Sequence, residues 1–147
     1  MFHRILVSTD GSPRSSRAIK TAAELAQTHG ATLTIFHAIP TYRTPYYAEG
    51  MGFAWPSETQ YLKGMGREAA RILASARALA AKQGVASTAL HAQGDDIALA
   101  IVAAASKARA DLIVMASHGR KGLGKLLLGS ETQKVLARTG VPVLVVR

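Results

Sequence analysis

Short apolar runs alternate along this chain with longer stretches of helical periodicity, and that alternation narrows the fold more than any other feature. Five runs read as strands: His3-Arg4-Ile5-Leu6-Val7-Ser8, Thr32-Leu33-Thr34-Ile35-Phe36-His37-Ala38, Ser87-Thr88-Ala89-Leu90-His91-Ala92, Asp111-Leu112-Ile113-Val114-Met115-Ala116 and Val141-Pro142-Val143-Leu144-Val145-Val146. The fourth is almost continuously apolar, the pattern of a strand covered on both faces in a parallel sheet. The third is the weakest.

Helix signals occupy the gaps. Thr9-Asp10-Gly11-Ser12-Pro13 offers polar cap residues and a proline at the first helical position. Ala18, Ile19, Ala22, Ala23, Leu25 and Ala26 then form a stripe that ends at His29-Gly30. Ser57-Glu58-Thr59-Gln60 has capping-box spacing ahead of a long helix that carries Ala69, Ile72, Leu73, Ala76 and Leu79 to Gln83-Gly84. Gly64 and Gly66 weaken its first turns by about 1 kcal/mol each where exposed. Asp95 is the expected cap of a third helix that buries Ile97, Ile101, Val102 and Ala105. Ser130-Glu131-Thr132-Gln133 repeats the capping-box spacing before a helix that ends at Arg138-Thr139-Gly140.

Strict alternation of strand and helix predicts an α/β fold: a doubly wound, five-stranded parallel sheet with helices on both faces, because right-handed crossovers distribute helices that way. Such sheets bind ligands where the strand order reverses. With strands one and four as central neighbours, the crevice lies between Ser8-Thr9-Asp10 and Met115-Ala116-Ser117-His118. The 147 residues predict one domain, 1–147, and 48% hydrophobic against 18% charged residues is enough for a core without suggesting disorder. No apolar run reaches the roughly 18 to 20 residues that span a bilayer, and the amino terminus runs into a strand pattern rather than a signal peptide; the expectation is a cytoplasmic protein with no membrane partner. Cysteine is absent, which excludes disulfides, thiolate metal sites and cysteine nucleophiles.

The formal charge of +9 favours an anionic partner. Much of it (Arg14, Arg17, Lys20, Arg67, Arg71, Arg77, Lys82) falls at helical spacing, as on a solvated helix face. The most informative stretch is Ala116-Ser117-His118-Gly119, nine residues, then Gly129-Ser130. Gly119 lets the backbone turn off strand four, and Gly129-Ser130 bring amides and a hydroxyl to the start of the last helix, where unpaired donors and the positive dipole end suit a polyphosphate. Arg120, Lys121 and Lys125 either add charge there or are solvated loop residues. No Gly-x4-Gly-Lys-Ser/Thr occurs, so a Walker-type ATPase is not expected. His3, His37, His91 and His118 lack paired-ligand spacing, and no metal site is expected. Nucleic-acid binding rests on charge alone and is not expected, for want of a recognisable module.

Val7-Ser8-Thr9-Asp10-Gly11-Ser12, Gly94-Asp95, Met115-Ala116-Ser117-His118-Gly119-Arg120, Leu127-Leu128-Gly129-Ser130 and Pro142-Val143-Leu144-Val145-Val146 together make the whole chain resemble a universal stress protein. The family's ATP-binding branch carries Gly-x2-Gly-x9-Gly-Ser/Thr; Gly119 and Gly129-Ser130 match, while Ala116 stands in place of the first glycine. The resemblance implies a Rossmann-like, adenine nucleotide alpha hydrolase-like fold that holds ATP, with Mg2+. Ser8, Thr9 and Asp10 would flank the adenosine, with Asp10 on a ribose hydroxyl or capping the first helix, and Ala38 would contact the adenine. Met115, Ala116, His118, Gly119, Gly129, Ser130, Glu131 and Thr132 would line ribose and phosphates. It further implies a stress-response or signalling module that dimerises through its C-terminal strand and acts through protein partners, with at most slow ATP hydrolysis or self-phosphorylation at Ser130 or Thr132. The alternative is a nucleotide-free interaction protein of the same fold, should Ala116 spoil the pocket. Between Pro40 and Pro56, a loop with Tyr42, Tyr46, Tyr47, Phe53 and Trp55 is either a lid over the site or a surface cover for the long helix.

Overall fold

Five parallel strands lie in the order β3-β2-β1-β4-β5. The computed structural model describes residues 1–43, 56–117 and 128–147. Within them run β1 (Arg4–Ser8), α1 (Pro13–His29), β2 (Thr32–Ile39), α2 (Glu58–Ala81), β3 (Ser87–Gln93), α3 (Ile97–Lys107), β4 (Leu112–Ala116), α4 (Ser130–Arg138) and β5 (Val143–Val146). The chain winds outward from β1 to β3, then returns to place β4 on the other side of β1. The order therefore reverses between β1 and β4, as the alternation predicts.

Period-two alternation along the central strands builds two cores. Ile5, Val7, Leu33, Ile35, Leu112 and Val114 face Ala18, Ile19, Ala22, Ala23 and Ala26 of α1 and Leu73, Ala76 and Ala80 of α2. Leu6, Phe36, Ile113 and Met115 face Ala98, Ile101, Ala104 and Ala105 of α3 and Val135 of α4. Leu25, Ile97 and Val102, expected at the buried positions, are only partly buried at the rims of these cores.

Local signals set most boundaries. Ser12 caps α1 by accepting from the Ser15 amide, Pro13 opens it, and Gly30 ends it at φ +65°, a left-handed conformation that costs glycine nothing. Ser57 and Gln60 form the complete capping box of α2. Two expectations are corrected. Asp96, not Asp95, caps α3. The Gly94 amide still reaches the Ile39 carbonyl at 3.0 Å, so the chain needs one more extended residue before it can turn. Asp95 instead pairs with Arg43 at 3.2 Å. Likewise Ser130 is the first helical residue of α4 and Gly129 its N-cap, so no Ser130–Gln133 capping box forms. The Gly129 amide donates to the Ser117 carbonyl at 2.7 Å, which starts the helix one residue earlier, and the Gln133 side chain donates to the Leu128 carbonyl. No helix among the described residues is long and apolar enough to cross a membrane.

Candidate functional site

Each helix returns the chain against the strand direction, so all four helix N-termini gather at the carboxyl edge of the sheet. Three are closed by side chains: Ser12 for α1, Ser57 with Gln60 for α2, and Asp96 for α3. The Glu131 carboxylate adds a second closure on α3 by accepting from the Ala98 amide at 3.1 Å. At α4 the N-cap is Gly129, which has no side chain to offer, and the amides of Ser130, Glu131 and Thr132 have no acceptor within their own helix. Those donors and the positive end of the α4 dipole lie at the reversal of strand order.

The first turn of α4 is pinned to the end of β4. Ser117, 6% exposed, donates its amide to the Val146 carbonyl at 2.8 Å, and its own carbonyl accepts from Gly129. The Thr132 hydroxyl, on a residue only 2% exposed, reaches the carbonyls of Ala116 and Ser117 at 3.2 Å each. A buried hydroxyl held by two carbonyls orients the helix; any contact of Thr132 with a ligand runs through its amide. Glu131 is engaged too, with Ala98 on one oxygen and Lys134 at 2.9 Å on the other. Ser130 is exposed at the mouth of the crevice.

Across the crevice the β1–α1 turn is equally tied down. The Thr9 amide extends the ladder to the Phe36 carbonyl at 2.8 Å, one residue past Ser8. Its hydroxyl, on a residue 7% exposed, shares a hydrogen with Ser15 at 2.9 Å and accepts from the Gly11 amide at 3.1 Å. Gly11 sits at φ +77°, where a side chain would be strained. Asp10 does not cap α1; its carboxylate accepts from the Ser12 amide at 3.0 Å, a turn that keeps it at the sheet edge beside the cap.

Met115 buries its side chain in the α3/α4 core, so it meets the crevice only through its main chain. The Ala116 methyl, in place of the motif's first glycine, packs against the α1/α2 core while the strand there stays in register with Val146. Ala38 lies at the carboxyl end of β2, partly buried toward α3. His118, Gly119, Arg120, Lys121 and Lys125 lie outside the described residues, as do Tyr46, Tyr47, Phe53 and Trp55 of the proposed lid. The structure thus brings together Ser8, Thr9 and Asp10 on one side and Ala116, Gly129, Ser130, Glu131 and Thr132 on the other.

Two residues beside the site, Ser117 in the crevice stretch and His37 among the scattered histidines, were given no role there by the sequence reading. Ser117 is the hub of the β4–α4 junction. His37 places Nδ1 2.8 Å from the Thr9 carbonyl. A legible signal existed for the second: His37 is a polar residue in phase with Leu33, Ile35 and Ile39 on an inward face. Among the described residues no cluster of three His, Cys, Asp or Glu side chains is placed to hold a metal ion. What the arrangement offers is binding of an anion by main-chain donors beside two carboxylates, Asp10 and Glu131, of which Glu131 is engaged by Ala98 and Lys134.

Known proteins match this chain in sequence and in overall fold. The sequence model of the universal stress protein family matches residues 1–147. A universal stress protein of Thermus aquaticus is 40% identical over an alignment of 152 positions covering all of both chains. Among solved structures, a protein of the universal stress protein family from Burkholderia pseudomallei is 28% identical with a TM-score of 0.74, covering 97% of this chain and 94% of that one. A universal stress protein solved in complex with cAMP is 27% identical, also with a TM-score of 0.74, covering 99% and 97%. The family match over the full length and the 40% identity to a relative covered end to end show that the chain belongs to the universal stress protein family.

Proposed function

We propose that this protein binds an adenine nucleotide, ATP with Mg2+, in the crevice between the ends of β1 and β4. The observation that carries the reading is the first turn of α4, where three main-chain donors lie at the strand-order reversal without a side-chain cap, an arrangement suited to an anion. The chain's excess of 18 basic over 9 acidic residues favours the same polyanion. A relative of this fold solved with cAMP supports the adenine and ribose part of the ligand. The residues present fit such a group: amides for phosphate, Asp10 for a ribose hydroxyl, and Ala38 at the β2 end beside the adenine. Mg2+ would be held mainly by phosphate oxygens and water, the usual arrangement for this cation with nucleotides. His118 and Gly119 complete the phosphate side in this reading.

The described residues supply phosphate donors without a dedicated base, so the nucleotide acts as a signal in a cytoplasmic stress-response module rather than as fuel, with at most slow hydrolysis. The edge strand β5 alternates half-buried valines with an exposed Leu144 and is open to pairing with a second copy, which makes a homodimer the form presented to protein partners.

Isothermal calorimetry with ATP, AMP and cAMP, with and without Mg2+, tests the reading. A micromolar dissociation constant, about −8 kcal/mol, is expected for ATP with Mg2+. Folded protein that gives no heat with any of the three leaves the nucleotide-free alternative. Sedimentation as a monomer at micromolar concentration would overturn the dimer.

A further inference from the structure

The peptide that joins Thr9 to Asp10 is held by a side chain from the neighbouring strand. A carbonyl only accepts, so the 2.8 Å contact between His37 Nδ1 and the Thr9 oxygen puts the hydrogen on Nδ1, and a neutral ring then carries its lone pair on Nε2. The Thr9 amide also points to β2, through the Phe36 carbonyl. In a trans peptide the C=O and the following N–H point in opposite directions, and the described residues include no cis bond. The Asp10 amide is therefore turned away from β2, toward β4 and the crevice where α4 begins.

The threonine side chain has its own anchors in Ser15 and Gly11, so the imidazole acts on the plane of the Thr9–Asp10 peptide and not on the threonine rotamer. An aliphatic residue would continue the inward register of Leu33, Ile35 and Ile39. Only a donor at this position holds the carbonyl.

Resting on the nucleotide reading above, we propose that His37 is a positioning residue for the ligand: its Nδ1–H holds the Thr9–Asp10 peptide so that the amide and carboxylate of Asp10 meet the nucleotide. Calorimetry with ATP and Mg2+ on wild type, His37→Leu and His37→Asn tests this, with thermal denaturation of each. The leucine variant is expected to bind about tenfold more weakly, the value of one hydrogen bond. The asparagine variant, whose amide nitrogen can stand in for Nδ1, is expected to stay within about threefold of wild type. Long-range 1H–15N NMR of the wild-type imidazoles reads the tautomer directly and is expected to show a protonated Nδ1 for His37. Undiminished affinity in His37→Leu overturns this proposal and leaves the nucleotide reading standing, whereas absence of heat with wild type overturns both. Equal losses in the two variants overturn it in favour of packing. An Nε2–H ring in folded wild type overturns it even if His37→Leu does not fold.

Discussion

The two edges of the sheet are built from similar residues and end in opposite electrostatic states. At the amino edge, the Asp111 carboxylate accepts from the amides of His3 and Arg4 at 2.8 and 2.9 Å, Arg4 Nε donates to the Arg109 carbonyl at 2.6 Å, and Phe2 meets the His29 ring edge-on at 5.5 Å. Helix C-termini arrive there, and turns close them through the amides of Gly30 for α1 and Ala108 for α3, with Lys107 in the last turn of α3 suited to the negative end of its dipole. At the carboxyl edge helix N-termini arrive, and three of the four are closed by side chains while α4 is not. Among the described residues, the amino edge joins its polar groups through contacts within the chain, whereas the first turn of α4 at the carboxyl edge has no side-chain cap.

The sharpest way to break that difference is to close the fourth helix. Gly129 has φ −60° and ψ 150°, a conformation any residue adopts, so Gly129→Asp is expected to cap α4 as Asp96 caps α3. Calorimetry should show nucleotide affinity falling about 100-fold, because the new carboxylate takes the amides and repels phosphate, while thermal stability rises by about 1 kcal/mol. Next in size is Thr132→Val, which removes the hydroxyl that pins α4 to the Ala116 and Ser117 carbonyls. Urea denaturation should register a loss of about 1–2 kcal/mol, with weaker nucleotide binding in the same protein.

The amino edge should respond differently. Asp111→Ala leaves two amides to water and is expected to cost about 1 kcal/mol in urea denaturation, discounted for solvent exposure, with nucleotide affinity unchanged. The smallest effect is in the pH profile. Burial opposes ionisation of Asp111, but the amides of Arg4, His3 and Asp111 itself outweigh it and hold the carboxyl below its usual range. A carboxyl depressed in the folded state contributes stability above its unfolded pKa of about 3.9 and loses it as pH falls through the lower, folded value. Acid unfolding monitored by circular dichroism should therefore be shallower below about pH 4 in Asp111→Asn than in wild type. The Arg138 hydrogen bond, then the Leu99 amide, depresses Asp96 in the same direction.

Much of this was legible in the chain because it is local. Ser12-Pro13, the Ser57–Gln60 box and Gly30 each act within one turn of helix, and all three stand where spacing placed them. Errors of one residue arose where a distant strand intervened: Ile39 on Gly94 at α3, and Ser117 on Gly129 at α4. The site divides the same way. Asp10 and Gly129-Ser130 could be found from turn chemistry, whereas the engagement of Thr132 by Ala116 and of Glu131 by Ala98 links residues 16 and 33 apart.

By itself the sequence determined the kinds of element, their alternation and hence a parallel sheet with a reversal in strand order, since periodicity and handed crossovers depend on neighbouring residues and chain chirality. Only the tertiary structure decided which of the described polar groups are engaged within the fold. A donor or acceptor is spent or spared according to what lies within about 3 Å of it in space, and for Thr9, Ser117, Thr132 and His37 that partner belongs, at least in part, to another element of the fold.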